Sequence, residues 1–374
     1  MAATTRPEPI TTEELSAKLD HLSTLLEETG YDAVRLVAEG AMRWLTGRRH
    51  QVVDIAPGAA TAIQAIVTPG GGAPRIELTS NPWEKARALD VAAMPIWEET
   101  GVQISYSDSG DAPTRTLEPE AEGYDSFLRK LLLPLVGGLE GNQYRKSAWL
   151  ASQGRAALLE VAGSVEEGMN GWEVRNLVFE TCHRLDLELN LVMVGLEGQA
   201  AHLHPIYDPG KRAARDTTMK LVIGTRYADM FFSYSQLFRL CSPQPAADAK
   251  ALGALEEATL RYADLYRPGA IEGDIYRQVG PIFEEVARKW DLPGFEASAY
   301  LHHLGGPVSP VGNREHLLTA GSREKIQPLS QFALNPMDAL HFNKVELQGV
   351  VSADGAPLIV DETALVSDVD RYFT

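Results

Sequence analysis

The chain has 374 residues, 44 % hydrophobic and 23 % charged, with 51 acidic residues against 34 Lys and Arg. At that length one or two domains can build their own cores, which excludes intrinsic disorder, collagen and a disulfide-stapled scaffold. A formal charge of −17 repels phosphate backbones and anionic lipid, so neither nucleic acid nor a membrane is an expected partner.

The two cysteines, Cys182 and Cys241, have no metal-type spacing and make no disulfide framework. They read as small buried apolar residues. The first residues, MAATTRPEPITTEEL, are polar and acidic and carry no apolar segment of the signal-peptide kind. Apolar runs such as Leu131–Leu133 stop far short of the ~20 residues of a membrane span. The expectation is a cytoplasmic protein.

Thr11, followed three residues later by Glu14, predicts a helix start. Leu15, Leu19, Leu22, Leu25 and Leu26 continue it at helical spacing, and Gly30 stops it. Asp32–Val37 reads as a strand, Ala41–Gly47 as a turn and Gln64–Thr68 as a second strand. Glu84–Val91 and Tyr124–Leu133 read as helices. This alternation predicts an α/β domain over residues 1–141, with Gly137–Gly141 as a linker to a second domain over 142–374.

The second domain begins with a long helix near Tyr144–Val161 and then shows an internal echo. A helix opened by Gly168-Met-Asn-Gly-Trp-Glu has a counterpart opened by Gly269-Ala-Ile-Glu-Gly-Asp, and strand-like sequence follows each. Two such halves predict pseudo-symmetry, although two amphipathic helices can also resemble one another by chance. Leu221–Gly224 and Met230–Leu240 flank a turn. Val345–Ser352 and Pro357–Val360 flank Asp354-Gly355, a hairpin signal.

No phosphate-binding glycine loop, GxSxG elbow or HExxH is present. Four polar groupings remain. His202 and His204 stand two apart on an extended segment and share a face. Such a pair can bind a metal or carry protons, or simply face solvent. His302-His303 precede Gly305-Gly306, where backbone or ligand can approach closely; at most one of the two lines a given pocket. Arg314-Glu315 is a handle for a carboxylate or amidine, or a solvated pair. Lys344 and Glu346 share one face of a strand, as part of a site or as a surface pair.

In this order the pieces resemble the pita-bread superfamily of creatinase, aminopeptidase P, prolidase and methionine aminopeptidase, over nearly the whole chain. Ala41-Met-Arg-Trp-Leu-Thr-Gly47 is similar to the superfamily's Asn-x-x-Tyr-Leu-Thr-Gly turn. The two Gly-started helices resemble its two halves, and His204-Pro205 its His-x-Pro-like segment. The resemblance implies an α+β chain: a pita-bread C-terminal domain with a pseudo-two-fold, preceded by a smaller creatinase-type α/β domain.

The superfamily's dinuclear metal site uses two Asp, one His and two Glu. The resemblance places these at Thr225, Gln236, His303, Asn335 and Glu346. His302 is a one-residue alternative to His303, and Asp361 a rival to Glu346 for the last position. Three of the five are neutral amides or hydroxyls, too few anions for two divalent ions. The resemblance therefore implies a metal-free relative without cofactor. Creatinase also works without metal, by proton transfer from a His matching His204, but its guanidinium-binding glutamates correspond here to Phe238 and Asn335, and its second catalytic His to Pro310.

The leading expectation is thus a metal-independent C–N hydrolase of a small molecule or short peptide. His204 would be acid/base and His303 would assist. His202, Arg239, His302, Arg314, Asn335 and Glu346 would hold substrate. The alternatives are a catalytically silent binding module and a residual Xaa-Pro-type metallopeptidase. A homodimer is implied by the resemblance alone.

Overall fold

The computed structural model describes residues 5–49, 60–69, 73–202, 204–215, 217–240, 246–292, 306–308, 318–338, 343–353 and 357–363. The chain divides into two compact units. The first runs to Ser147 and takes in the turn Tyr227–Met230; the second holds most of the remainder.

In the first unit the order is α1 (Thr12–Thr29), β1 (Ala33–Ala38), α2 (Glu39–Thr46), β2 (Ala60–Thr68) and β3 (Arg75–Ser80). These are followed by α3 (Lys85–Ala92), α4 (Ile96–Glu99), β4 (Gln103–Tyr106), β5 (Thr116–Leu117) and α5 (Tyr124–Leu132). The strands form one sheet in the order β4-β3-β2-β1-β5, antiparallel at β1/β2 and β2/β3 and parallel at β1/β5 and β3/β4. Helix α1 starts and stops where its signals stand. The Thr11 hydroxyl accepts from the Glu14 N–H, and Gly30 closes the helix in the left-handed region. Leu15, Leu19, Leu22 and Leu26 are buried against Val34, Leu36 and Trp44 in the unit's core. One expectation fails: 41–47 is not a turn but the body of α2. Its Trp44 and Leu45 are wholly buried, and packing of that face gives a short segment the helical periodicity its length obscures. Gly47 ends it at φ 67°, where a Cβ would sit 2.6 Å from the Pro9 carbonyl oxygen.

The centre of this unit is ionic. Lys18, Lys146, Glu14 and Asp229 are all wholly or almost wholly buried. Lys18 donates to the Trp44 carbonyl and, at 2.9 Å, to Asp229. Lys146 donates to Asp229, to Glu14 at 2.9 Å and to the Pro9 carbonyl at 2.9 Å. Gln143 and Asn142 add side-chain N–H donors to Asp229 (2.6 Å) and Glu14 (2.7 Å). Burial disfavours every charge here, yet the opposite charges prevail. Asp229 is held down at about 2 by Lys146 and Lys18, and Lys18 is pushed above the ordinary lysine value by Asp229 and Glu14.

The second unit comprises the body of α6 (Asn142–Ser164), then α7 (Gly171–Arg184), β6 (Glu188–Leu196), β7 (Thr218–Tyr227), β8 (Met230–Arg239), α8 (Ala246–Ala263) and α9 (Glu272–Lys289). Its last elements are β9 (Gly306–Val308), β10 (Gln331–Leu334), β11 (Met337–Asp338), β12 (Asn343–Lys344), β13 (Glu346–Val351) and β14 (Pro357–Thr363). Three sheets result, β6-β7-β8, β14-β13-β10-β9 and the ribbon β11-β12. The internal echo is present in the backbone. Before α7, the Gly168 N–H donates to the Ala213 carbonyl and the Ala213 N–H to the Met169 carbonyl, both at 2.7 Å. Before α9, Gly269, Ile326 and Ala270 repeat the exchange at 2.8 Å. Gly168 and Gly269 both have positive φ, 92° and 81°. Two helices entered through the same bridged glycine turn are structural repeats rather than chance amphipaths.

Candidate functional site

The site is built on the β7–β8 hairpin. The Leu240 N–H donates to the Thr217 carbonyl at 2.8 Å, and the Thr225 hydroxyl reaches the Phe232 carbonyl at 3.5 Å. These contacts set 217 opposite 240 and 225 opposite 232. Alternation then puts Lys220, Val222 and Gly224 on one face with Ser233, Ser235 and Leu237. The other face carries Leu221 and Thr225 with Tyr234 and Gln236. That second face packs on α6: the Tyr234 hydroxyl donates to the Ala151 carbonyl, and a Cβ at Gly154 would lie 2.2 Å from the Tyr234 ring. Gly154 is what lets the ring lie against the helix.

The first face meets β13. Ser235 Oγ donates to Glu346 Oε2 at 2.6 Å, and the Gln348 amide donates to the Ser233 carbonyl. Lys344 Nζ lies 3.9 Å from the same Glu346 oxygen and donates to the Asn335 carbonyl at 2.9 Å. Lys220 Nζ donates to the His202 carbonyl at 2.7 Å and to Met337 Sδ at 3.2 Å. Lys220, Lys344 and Glu346 are at most 3 % exposed. Burial and then the charge of Lys344 push the Lys220 amine down to about 7, against the pull of Glu346.

The structure brings together only part of the expected set. Asn335 and Glu346 are both buried and share the cluster through Lys344. Register supports that pairing, since Leu334 stands opposite Leu347 and Asn335 follows at the strand end. His202 and His204 are exposed, and His202 joins the cluster by its backbone carbonyl. Arg239 is half-buried at the end of β8. Thr225 and Gln236 are buried but lie on the α6 side of the hairpin, away from Glu346; a one-residue shift along β8 puts Ser235 in contact instead. His302, His303 and Arg314 lie outside the described residues, as do Cys241 and the side chain of Asp361. Lys344-x-Glu346 is not a solvated surface pair; both are core residues.

Sequence reasoning missed Lys220. Its signal was a single cation interrupting the apolar run Met219-Lys-Leu-Val-Ile on a strand buried on both faces. Among the described residues no group of three or more His, Cys, Asp or Glu could hold a metal ion. The cluster has one carboxylate facing two lysines, and an ammonium 3.9 Å from that carboxylate competes directly with a divalent cation. Among the described residues the cluster offers a metal a single carboxylate beside two lysines.

No protein-family model matches the sequence, and no curated protein matches it. Solved structures do. A dipeptidase PepE from Mycobacterium ulcerans is similar at a TM-score of 0.69 and 16 % identity, over 96 % of this chain and 99 % of that one. A prolidase from Pyrococcus horikoshii OT3 follows at 0.65 and 11 %, over 94 % and 99 %. An X-Pro aminopeptidase from Thermotoga maritima matches at 0.63 and 14 %, over 89 % and 96 %. The chain has the pita-bread fold. It is the fold of the creatinase and aminopeptidase P superfamily, α+β, with the smaller α/β unit at its N-terminal end. Among the described residues no helix is long and apolar enough to cross a membrane.

Proposed function

We propose that this pita-bread chain is a metal-independent hydrolase of a C–N bond in a small molecule or short peptide. The observation that carries the reading is the Lys220–Lys344–Glu346 cluster on the inner strands. The Lys344 ammonium supplies positive charge there without a metal, and it opposes the binding of one. His204 is the acid/base: it is exposed, two residues beyond the carbonyl that Lys220 holds, so it can meet substrate without breaking core packing. An imidazole can both accept and donate a proton, which suits transfer to a leaving amine. Asn335 and Glu346, with Arg239, His202, His302, His303 and Arg314, form the substrate-holding set of this reading. Residues 1–141 and 142–374 are its two domains, working in a cytoplasmic homodimer without cofactor.

The test is a mass-spectrometric screen of short peptides, amidino compounds and cyclic amides, run with and without a chelator. Turnover should survive chelation, and His204→Ala should lower it about 100- to 10,000-fold while changing stability by within about 1 kcal/mol. Turnover that disappears with the chelator, or that His204→Ala leaves intact, overturns the reading.

A second reading is a binding module, favoured by one surface feature. On α7 the Arg175 guanidinium lies 5.3, 4.3 and 5.0 Å from the ring centres of Trp172, Phe179 and Tyr207. Trp172 and Phe179 are over 40 % exposed and neighbouring Ile206 is 72 % exposed. Exposed aromatic and aliphatic side chains with an Arg anchor are the composition of interaction surfaces. Trp172→Ala with Phe179→Ala should then abolish partner capture and leave any turnover unchanged.

A further inference from the structure

Three segments of the N-terminal unit meet at a cleft of about 200 Å³. One wall is the chain ahead of α1, Glu8–Thr12. It is fixed from behind, where Asn142 donates to the Glu8 carbonyl and Lys146 to the Pro9 carbonyl, both at 2.9 Å. The second wall is the end of α2, where Gly47 lets the chain lie against Pro9 and Ile10 and Arg48 follows. The third is Met94–Glu99, anchored by the buried Trp97, whose indole N–H donates to the Val91 carbonyl at 2.7 Å. Contacts outside the cleft hold these walls, so its shape does not wait for a ligand.

The lining is divided. Ile10, Met94 and Ile96 give it an apolar side, with Met94 and Ile96 buried. Arg48, Glu8 and Glu99 are exposed and charged. Among the described residues the Arg48 guanidinium has no hydrogen-bond or ion-pair partner, although two carboxylates line the same cleft. Glu99 accepts from the Thr12 hydroxyl at 3.3 Å, which leaves most of a carboxylate's acceptor capacity open.

We propose that this cleft binds a free aliphatic α-amino acid. The ligand carboxylate takes the Arg48 fork, a planar donor pair that matches it in two parallel hydrogen bonds. Its ammonium faces Glu8 and Glu99, and its side chain covers Ile10, Met94 and Ile96. A zwitterion supplies a counter-charge to each side. A simple anion would meet two carboxylates, and a simple amine would leave Arg48 unpaired. Size sets the upper limit: 200 Å³ is room for roughly seven waters at ~30 Å³ each, and it lies below the ~300 Å³ at which pockets for drug-sized ligands begin. One amino acid fits where a longer peptide does not. The inference does not rest on the hydrolase reading.

The test is isothermal titration calorimetry of the full chain with L-leucine, leucinamide and 4-methylpentanoate at pH 7. Leucinamide lacks the carboxylate and 4-methylpentanoate the ammonium, so each should bind at least about tenfold more weakly than L-leucine, the loss of one charge-assisted contact. Arg48→Gln should bring L-leucine down to the affinity of leucinamide, and Glu8→Gln with Glu99→Gln to that of 4-methylpentanoate. All three side chains are exposed, so the melting temperatures should stay within a few degrees of wild type. Absence of saturable L-leucine binding up to about 10 mM, well above the weakest affinity such contacts would give, overturns the proposal. So does an analogue that binds as tightly as L-leucine, or L-leucine binding that Arg48→Gln leaves intact, since the ligand then sits elsewhere. Should a variant fail to fold, the three ligands on the wild type decide. The titration requires no turnover, so its result stands apart from that of the hydrolysis screen.

Discussion

Two buried ionic clusters, one in each unit, show how the same residue types serve different ends. In the N-terminal unit Lys18 and Lys146 face Glu14 and Asp229, two charges against two, with Gln143 and Asn142 filling further acceptor sites. The opposite charges hold Asp229 well below and Lys18 above their ordinary values, and the cluster ties α1, the start of α6 and the turn at Asp229 together. In the C-terminal unit Lys220 and Lys344 face Glu346, two against one among the described residues, and burial with Lys344 pushes the Lys220 amine down to about 7. A balanced cluster gains from every member and is structural. An unbalanced one keeps a group near its titration point, which is how sites that act on ligands differ from scaffolding.

The largest expected effect tests the balanced side. Asp229→Ala leaves two buried ammonium groups facing a single carboxylate. Urea denaturation at pH 7 should show a loss of about 4 kcal/mol, the usual cost of stranding a buried charge. In the wild type, Asp229 is ionised in the folded state down to about 2, so its contribution is present above the ordinary carboxylate value near 3.9 and fades as pH falls from there through about 2. A loss below about 1 kcal/mol would mean that the cluster is incidental to the fold.

Glu346→Gln makes the matching cut on the unbalanced side. The amide oxygen can still accept from Ser235, so the hydrogen bond at that position is retained and only the charge facing Lys344 is lost. We expect about 3 kcal/mol of destabilisation at pH 7, measured in the same way, because an ammonium is left without its carboxylate. The Lys220 amine, deprived of the one charge that raises its value, should titrate lower still, which pH-dependent amine labelling would read. If the two variants respond alike to pH, the distinction between the clusters fails.

What could be read from the sequence follows the same division. Local rules sufficed for the frame: the Thr11 cap and Gly30 stop of α1, the Asp354-Gly355 signal between β13 and β14, and the paired Gly168 and Gly269 helix entries. They failed at α2, where tertiary packing of Trp44 decides the conformation. The site was legible where strand register is pinned by neighbours, as for Asn335 beside Glu346. It was illegible along β8, because Ser235 and Gln236 are both polar and buried. Only the hairpin register tells which of them faces Glu346, and a one-residue slip reverses the face of every side chain. Lys220 went unread because its role depends on β11, β12 and β13, more than 110 residues further along the chain, delivering Met337, Lys344 and Glu346 to it.

The smallest effect is the most discriminating, because it depends on direction. The folded-state value of Lys220, about 7, lies below the roughly 10.4 of a lysine in the unfolded chain. Between those values the unfolded chain binds the extra proton, so stability must rise with pH. From pH 7 to 9 the wild type should gain about 2 kcal/mol from this group alone, and Lys220→Met, which carries no proton there, should gain none from it. Lys344 and Glu346 face this position in both proteins alike, so the difference between the two denaturation curves reads the amine. At pH 7 the variant should equal or exceed the wild type in stability, since methionine enters the buried position without a charge to desolvate. Parallel curves would place Lys220 among ordinary paired lysines, like Lys18 and Lys146, and would remove the contrast between the two clusters.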